Sequence, residues 1–511
     1  MKKAFLLLSI LIIVYGSLWA QDFGFGFDED EEGSSGNKPV SFKIGGEVFI
    51  EATPYIYEFL DEDKFSDISI WNARLNLSLL SSHVDLITSF NFNTGSINEL
   101  WAGSSRLSES NYTPLIIDEA FVRAYIGPVN IEAGYRKLTW GKADSNGPLD
   151  VTNPIDYSDL RNIDDLRANK IARPMFHLTV NTGALSKLEG VFIPNLTGHR
   201  FAQEGRWVPG QLRNMVGTMA SVENEITGKF INKFGAMILD PAMVPIITKV
   251  KEDMLAHPYD ITFPSTDSIE YFQAGLRYTM TIGSADIGVQ YYYGTFFRPS
   301  FIITGIDEFV DDFAKGLMGA NPPETFPSDY QCNPSLISPL IKYNRYHQIG
   351  LDYAQILAGF NIRAEAAIFI TEDLKGDDGS VQNPFIGWSL GFDRDLFAGI
   401  NLNIQCNETI RLFNDKIGDN PIFDAEAGTS VTSTRLSIQL SKKFMRDKLE
   451  TKATAIWDIE NSDCYLIPSI IYTAGNMSTE LSAGIFAGNT DGELGQYWEN
   501  SFIKLGVRFS F

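Results

Sequence analysis

The 511-residue chain carries 64 acidic against 41 basic side chains, a formal net charge of −23, and 13% of its residues are aromatic. So acidic a balance argues against nucleic acid as a partner, because phosphates need a basic surface. Cys332, Cys406 and Cys464 are an odd set at wide spacing and support neither a disulfide framework nor a zinc cluster.

Residues 1–20 read as a secretory signal peptide: Lys2 and Lys3 precede an apolar run from Ala4 to Leu18, and Ala20 offers a small residue before Gln21. The run is shorter than the ~20 residues that span a bilayer as a helix, which sets a membrane anchor aside. No cysteine follows it, which argues against a lipoprotein. Residues 21–40 form an acidic leader, alternating Phe with Gly before Asp28, Glu29, Asp30, Glu31 and Glu32. A flexible, solvated tail is expected there, with a calcium or cationic-partner site as the alternative.

From Ser41 the chain changes character. Phe42, Ile44, Val48 and Ile50 share one parity and oppose Lys43, Glu47 and Glu51; Phe272, Ala274, Leu276, Tyr278, Met280 and Ile282 oppose Gln273, Arg277, Thr279 and Thr281. Such period-2 segments of about ten residues match the length of a tilted strand crossing a bilayer. Eighteen are expected, near 41–51, 69–80, 83–93, 116–126, 129–138, 174–182, 187–194, 270–282, 285–296, 345–355, 358–370, 382–393, 398–408, 431–441, 448–459, 464–473, 478–488 and 500–511. Their connections alternate long and short, the 460–463 link being short where a long one is due. This is the pattern of an all-β, transmembrane up-and-down antiparallel barrel of 16–18 strands over residues 41–511, with turns on the periplasmic rim and long loops outside. A soluble β-sandwich or propeller also alternates, but it does not put its long connections at every second turn.

In "SFIKLGVRFSF", Ile503, Leu505, Val507, Phe509 and Phe511 fall on one parity, with Lys504 and Arg508 on the other. A sheet in lipid must close on itself, so the last strand has to pair with the first. This ending resembles the C-terminal signal that bacterial outer-membrane proteins present to their barrel-assembly machinery. The resemblance implies that Val507, Phe509 and Phe511 form an assembly signal.

Nothing in the sequence points to a catalytic constellation, although a Ser/His or Asp/His arrangement brought together across strands would leave no local trace. His83, His177, His199, His257 and His347 sit at no metal-ligand spacing, and neither H-E-x-x-H nor G-x-S-x-G occurs, so no enzyme, metal or cofactor is expected. The stretch from Tyr135 to Leu178 is the most informative internal one. Its Arg136, Trp140, Gly141, Asn153, Pro154 and Asp156 resemble a motif of an incompletely characterised group of porin-like outer-membrane proteins. That group carries an acidic residue directly after Trp-Gly, where this chain has Lys142. The resemblance implies solute passage without naming the solute. Physically, a loop rich in Asp144, Asp150, Asp156, Asp159, Arg161 and Arg173 can fold inward and narrow a lumen through ion pairs. Trp140, Gly141, Asp144, Asn153, Pro154 and Asp156 are therefore the candidate constriction residues.

Two loop segments read as helices. Asp240 and Pro241 begin one, with Met243, Ile246, Ile247, Val250 and Met254 on a stripe; Ile306, Phe309, Val310, Phe313 and Leu317 form the other. The stripes either pack on each other or the barrel mouth, or form a greasy entry site.

The reading is an outer-membrane porin-like channel for passive passage of small solutes, selecting by width and lining charge. The candidate lining residues are Arg74, Glu119, Arg123, Glu132, Arg136, Arg277, Arg363, Glu365, Arg435 and Arg508. Expected partners are outer-membrane lipid, the assembly machinery and an unnamed small solute, with a homo-oligomer left open. The rival readings are a transporter for hydrophobic molecules, resembling the fatty-acid transporters, and a surface adhesin or structural barrel.

Overall fold

Period-2 alternation leaves one physical solution in which no sheet edge is exposed, a ring, and that is what the chain forms. The structure, a computed structural model, describes residues 40–58, 69–93, 117–163, 166–202, 205–210, 215–235, 245, 248–250, 252–253, 264–318 and 333–511. The expected signal peptide, nearly all of the acidic leader and much of the helix expected after Asp240 lie outside the described residues.

Eighteen strands make one sheet. They are β1 (Ser41–Ala52), β2 (Ser69–Leu80), β3 (Val84–Asn93), β4 (Ile117–Ile126), β5 (Val129–Arg136), β6 (Arg173–Gly183), β7 (Ser186–Ile193), β8 (Gln273–Ile282) and β9 (Ala285–Thr295). The second half comprises β10 (Arg345–Leu357), β11 (Phe360–Thr371), β12 (Phe385–Asp395), β13 (Ile400–Arg411), β14 (Thr432–Phe444), β15 (Leu449–Asp458), β16 (Asp463–Ala474), β17 (Met477–Gly488) and β18 (Phe502–Ser510). Each pairs antiparallel with its successor, and β18 pairs with β1 from Ser510 opposite Glu47 to Leu505 opposite Ala52. The fold is a closed, 18-stranded antiparallel barrel.

Its two faces are reversed relative to a soluble sheet. On β10 the outward Ile349 and Leu351 are 49% and 55% exposed, while Gln348 and Asp352 on the other parity are 0% and 3% exposed. The same inversion runs around the ring: Leu276, Val289, Leu390, Ile470 and Leu481 are exposed, and Gln273, Gln290, Ser389, Ser469 and Ser482 are buried. The apolar outside suits lipid around the barrel, while the inside mixes polar side chains with apolar ones such as Tyr292, Phe369, Tyr465 and Phe486, which pack against the loops that enter it.

The rims differ as the spacing predicts. Turns at 127–128, 184–185, 283–284, 358–359 and 475–476 join strands on one rim, which also holds both ends of the sheet. The other rim carries 137–172, 194–272, 296–344, 372–384 and 412–431, with 459–462 as its short member.

Helix α1 (Met215–Phe234) was not expected from the sequence, whereas α2 (Ile306–Met318) covers the expected stripe. Among the described residues, Val222, Ile226, Phe230 and Phe234 of α1 pack with Ile306, Phe309, Val310 and Phe313 of α2, joined by Val250, Ile303 and Ile422. Lys229 reaches Asp307 at 2.5 Å along the edge of this cluster.

At the closing seam, Gly46 N–H donates to Phe511 O and Phe511 N–H to Gly46 O, both at 2.9 Å. A Cβ on Gly46 would collide with the Arg74 carbonyl and stand 2.9 Å from the Phe511 ring. Gly46→Val is therefore expected to cost about 1–3 kcal/mol through overpacking. The check is the yield of heat-modifiable barrel on refolding into detergent. An undiminished yield, set beside the exposed-loop control Ser430→Val, would mean the seam is not packed this way.

Candidate functional site

The 137–172 connection turns into the barrel rather than away from it. Its base is tied by one amide: Asn153 Oδ1 accepts from Leu138 N–H at 2.8 Å, and Nδ2 donates to the carbonyls of Arg136 and Ile171, each at 2.9 Å. Taking the Leu138 N–H ends β5 at Arg136, two residues earlier than the alternation suggests. Pro154 O accepts from Ile171 N–H at 2.8 Å, closing the same neck. Trp140 is buried edge-on against Tyr292, with ring centroids 6.2 Å apart.

Beyond Trp140 the backbone meets the wall formed by β9–β13. The Glu365 carboxylate accepts the N–H groups of Lys142, of Ala143 at 2.6 Å and of Leu149 at 3.4 Å. Only glycine fits before Lys142, because Gly141 has φ +99° and a Cβ there would strike the Glu365 carboxylate. Asp144 pairs with Arg363 and accepts from Asn403 at 2.7 Å. Gln405 accepts from Asp144 N–H at 2.7 Å and donates to Ser145 O at 2.5 Å. Gln290 and Gln348 donate to the carbonyls of Leu149 and Pro148 at 3.0 and 2.5 Å. Asp150, driven up by burial and partly offset by Lys170 at 2.6 Å, faces back toward the neck.

The second half of the loop reaches the opposite wall. Asp156 pairs with Arg200 at 2.6 Å, in a short parallel bridge of Asp156–Tyr157 with Arg200–Phe201. Arg161 binds Asp159 through Nε at 2.9 Å and Glu51 of β1 at 3.1 Å. Burial works against its charge, but its bonds to Asp159 and the nearby Glu51 raise its pKa above the ordinary value. Lys504 of β18 donates to Asn162 Oδ1 at 3.1 Å. Below this segment Leu160, Trp207 and Val208 pack on Tyr465, Phe486 and Phe502 of the wall. The loop thus crosses the interior from one wall to the other.

All ten charged residues expected on the polar parity project inward, and they divide by environment. Arg277 with Asp352 (2.6 Å) and Gln290 (2.8 Å) is buried, as is Glu132 with Arg123, Arg136 (both 2.6 Å) and His177 (2.8 Å). Glu365 is buried beneath the loop. Glu119 accepts from Lys137 N–H at 2.8 Å, and Arg363 also reaches Asp393 at 2.9 Å. Arg435 meets Glu493 at 2.7 Å. Arg74 and Arg508 share Glu47 at 3.5 and 3.4 Å, and these side chains stay 34%, 46% and 26% exposed. Water therefore reaches the inner face beside β1, β2 and β18.

Sequence reasoning missed Asp118, Glu51, Gln290, Gln348 and Gln405. Four of these lie on the inward parity, but nothing local says that a loop far along the chain will meet them. Asp118 sits at a bulge where Ser89 pairs with Glu119 and Phe90 with Ile117. The extra residue lets neighbouring Asp118 and Glu119 both face inward, which strict alternation forbids. Asp118 there takes Lys137 at 2.5 Å and Arg74 at 3.9 Å.

No family model matches the sequence, and no curated protein matches it. Solved structures similar to the chain include a BenF-like porin from Pseudomonas fluorescens Pf-5, at 9% identity and TM-score 0.42 over 92% of this chain and 98% of that one. Pseudomonas aeruginosa OccK3 (OpdO) matches at 8% identity and TM-score 0.42, covering 92% and 95%. OmpT, an outer membrane protein of Vibrio cholerae, matches at 10% and 0.37, covering 92% and 98%. Likenesses at this level decide nothing about solute or mechanism, and the strand pairing stands without them.

His199 gives the loop junction a pH dependence. Its Nδ1 accepts from Ile155 N–H at 2.9 Å, and Tyr157 and Phe297 flank the ring with centroids 5.2 and 5.3 Å away. Burial, and then the charge of Arg298, push its pKa from 6.5 down to about 3. The unfolded chain binds the proton first, so this contribution is intact above about pH 6.5 and fades as pH falls toward 3. At pH 4.5 the loss is on the order of 2–3 kcal/mol. His199→Phe keeps the ring without the titration, so the stability gap between wild type and variant in urea should narrow from pH 7.5 to 4.5. A constant gap would show that His199 is not held neutral.

Proposed function

We propose that the protein is a porin-type channel of a bacterial outer membrane, through which small polar solutes pass passively without covalent chemistry. One observation carries the reading: inside a closed barrel that is apolar outside, charges of both signs remain open to water beside a loop that crosses the interior. Arg74, Glu47 and Arg508 form that wet stretch. A solute moving along it exchanges hydration for paired charges while the 137–172 loop limits its width, so size and polarity are selected together. The mixed signs predict no strong preference for anions over cations among small ions. In this reading Trp140, Gly141, Asp144, Asn153, Pro154 and Asp156 hold the constriction in place. Outer-membrane lipid surrounds the belt, and the long connections face outward.

The hydrophobic-transporter reading draws no support from the described part of the helices, where Val222, Ile226, Phe230 and Phe234 are buried against Ile306, Phe309, Val310 and Phe313.

Planar-bilayer recording of the refolded chain tests the proposal: stepwise conductance is expected, and a well-folded but silent barrel would sink it. Glu365→Ala removes the acceptor of three loop N–H groups, and each group left unpaired costs about 1–3 kcal/mol of loop docking. The variant should stay heat-modifiable and show a larger unit conductance. Unchanged conductance would mean that the loop does not set the width.

Val507, Phe509 and Phe511 serve in this proposal as the assembly signal. A charge on the lipid face costs ~2–4 kcal/mol at mid-membrane and far less near the rim, where Phe511 lies. Phe511→Asp should therefore refold nearly normally in detergent yet lose most of its folded protein in cells. Normal cellular amounts would refute the signal.

A further inference from the structure

The outward face of β7–β10, at the rim bearing the long connections, departs from a plain apolar belt. Phe192, Phe272, Tyr293 and His347 form a row of rings across neighbouring strands. Phe192 stacks on Phe272 at 6.1 Å, Phe272 meets Tyr293 at 5.6 Å, and Tyr293 meets His347 at 5.0 Å between centroids. His347 also hydrogen-bonds the Tyr291 hydroxyl at 2.7 Å. Arg345 lies across this row, its guanidinium 5.5 Å from the Phe272 centroid and 5.0 Å from that of Tyr293. One of its N–H groups donates to Phe272 O at 3.0 Å. The nearby carboxylate of Glu372 is engaged by Lys342 at 3.1 Å, and among the described residues none lies within ion-pair distance of Arg345.

A guanidinium fixed on aromatic faces and turned away from the barrel has nothing inside to serve. Whatever it binds must sit at the height of the rim, outside the sheet. In a membrane that level is occupied by headgroups, and a planar fork of N–H donors matches a phosphate. We propose that this face binds the phosphate of a membrane lipid headgroup: Arg345 supplies the donors, and Phe272, Tyr291 and Tyr293 hold the glycerol or sugar and the upper acyl chain. The inference rests on the outer-membrane reading. It assigns a ligand to the outer face, which the channel reading leaves as undifferentiated belt.

The test is native mass spectrometry of the full chain in detergent, with phosphatidylglycerol as the probe and diacylglycerol of the same chains as its phosphate-free match. Wild type should retain one phosphatidylglycerol in preference to diacylglycerol. Arg345→Gln should bind it roughly tenfold more weakly, the scale of one lost charge-assisted hydrogen bond. The exposed-loop control Lys375→Gln should bind as wild type. Equal retention by wild type and Arg345→Gln, with both heat-modifiable, overturns the assignment. Displacement of the lipid by inorganic phosphate at matching concentration also overturns it, because the site would then take a soluble anion. A barrel that conducts but shows no preference sinks this inference alone, whereas one that is silent yet retains the lipid sinks the channel reading alone.

Discussion

Backbone hydrogen bonding governs the rest of this molecule. A strand surrounded by lipid has no water to satisfy its N–H and C=O groups, so every strand needs a neighbour on each side and the sheet cannot end. The pairing of β18 with β1 meets that demand. Once the ring is closed, the pleat sends alternate side chains to opposite surroundings. The exposed Leu351 and the buried Asp352 are adjacent consequences of one geometry.

Closure creates a second problem, which is the interior. Buried charges are costly unless paired, and an 18-stranded barrel is too wide to be filled by wall side chains alone. The chain answers with backbone. The 137–172 loop brings unpaired peptide groups inward, and Glu365, Gln290, Gln348 and Gln405 satisfy them from the wall. The wall's polar side chains and the loop's polar backbone complete each other on the β9–β13 side. Beside β1, β2 and β18 the Arg74, Glu47 and Arg508 side chains keep their access to water.

Much of this was legible in the sequence because period 2 is a local property. The eighteen strands, the alternation of rims and the inward parity of residues such as Arg74 and Arg508 follow from a few neighbours each. Errors cluster where long-range contacts override the local pattern. β5 stops early because Asn153 takes a backbone donor from the strand's extension. Asp118 turns inward because a bulge breaks the alternation. Helix α1 carried a visible signal, Val222, Ile226, Phe230 and Phe234 at four-residue spacing, which the surrounding loop obscured. The wall partners of the loop had no such signal: Gln405 and Glu365 look like any other inward polar residues until the fold brings the loop to them.

The crossing loop is also attached to both strands of the seam. Arg161 reaches Glu51 on β1, while Asn162, its neighbour, accepts from Lys504 on β18, a residue 342 positions away. Ring closure joins the two ends of the sheet, and bringing segments this distant in sequence together carries a loop-closure entropy cost. A loop that holds one end strand with each of two adjacent residues shortens that search, since docking to β1 already presents the site for β18. The loop that crosses the interior is then also an inner clasp, holding β1 and β18 together from within the ring.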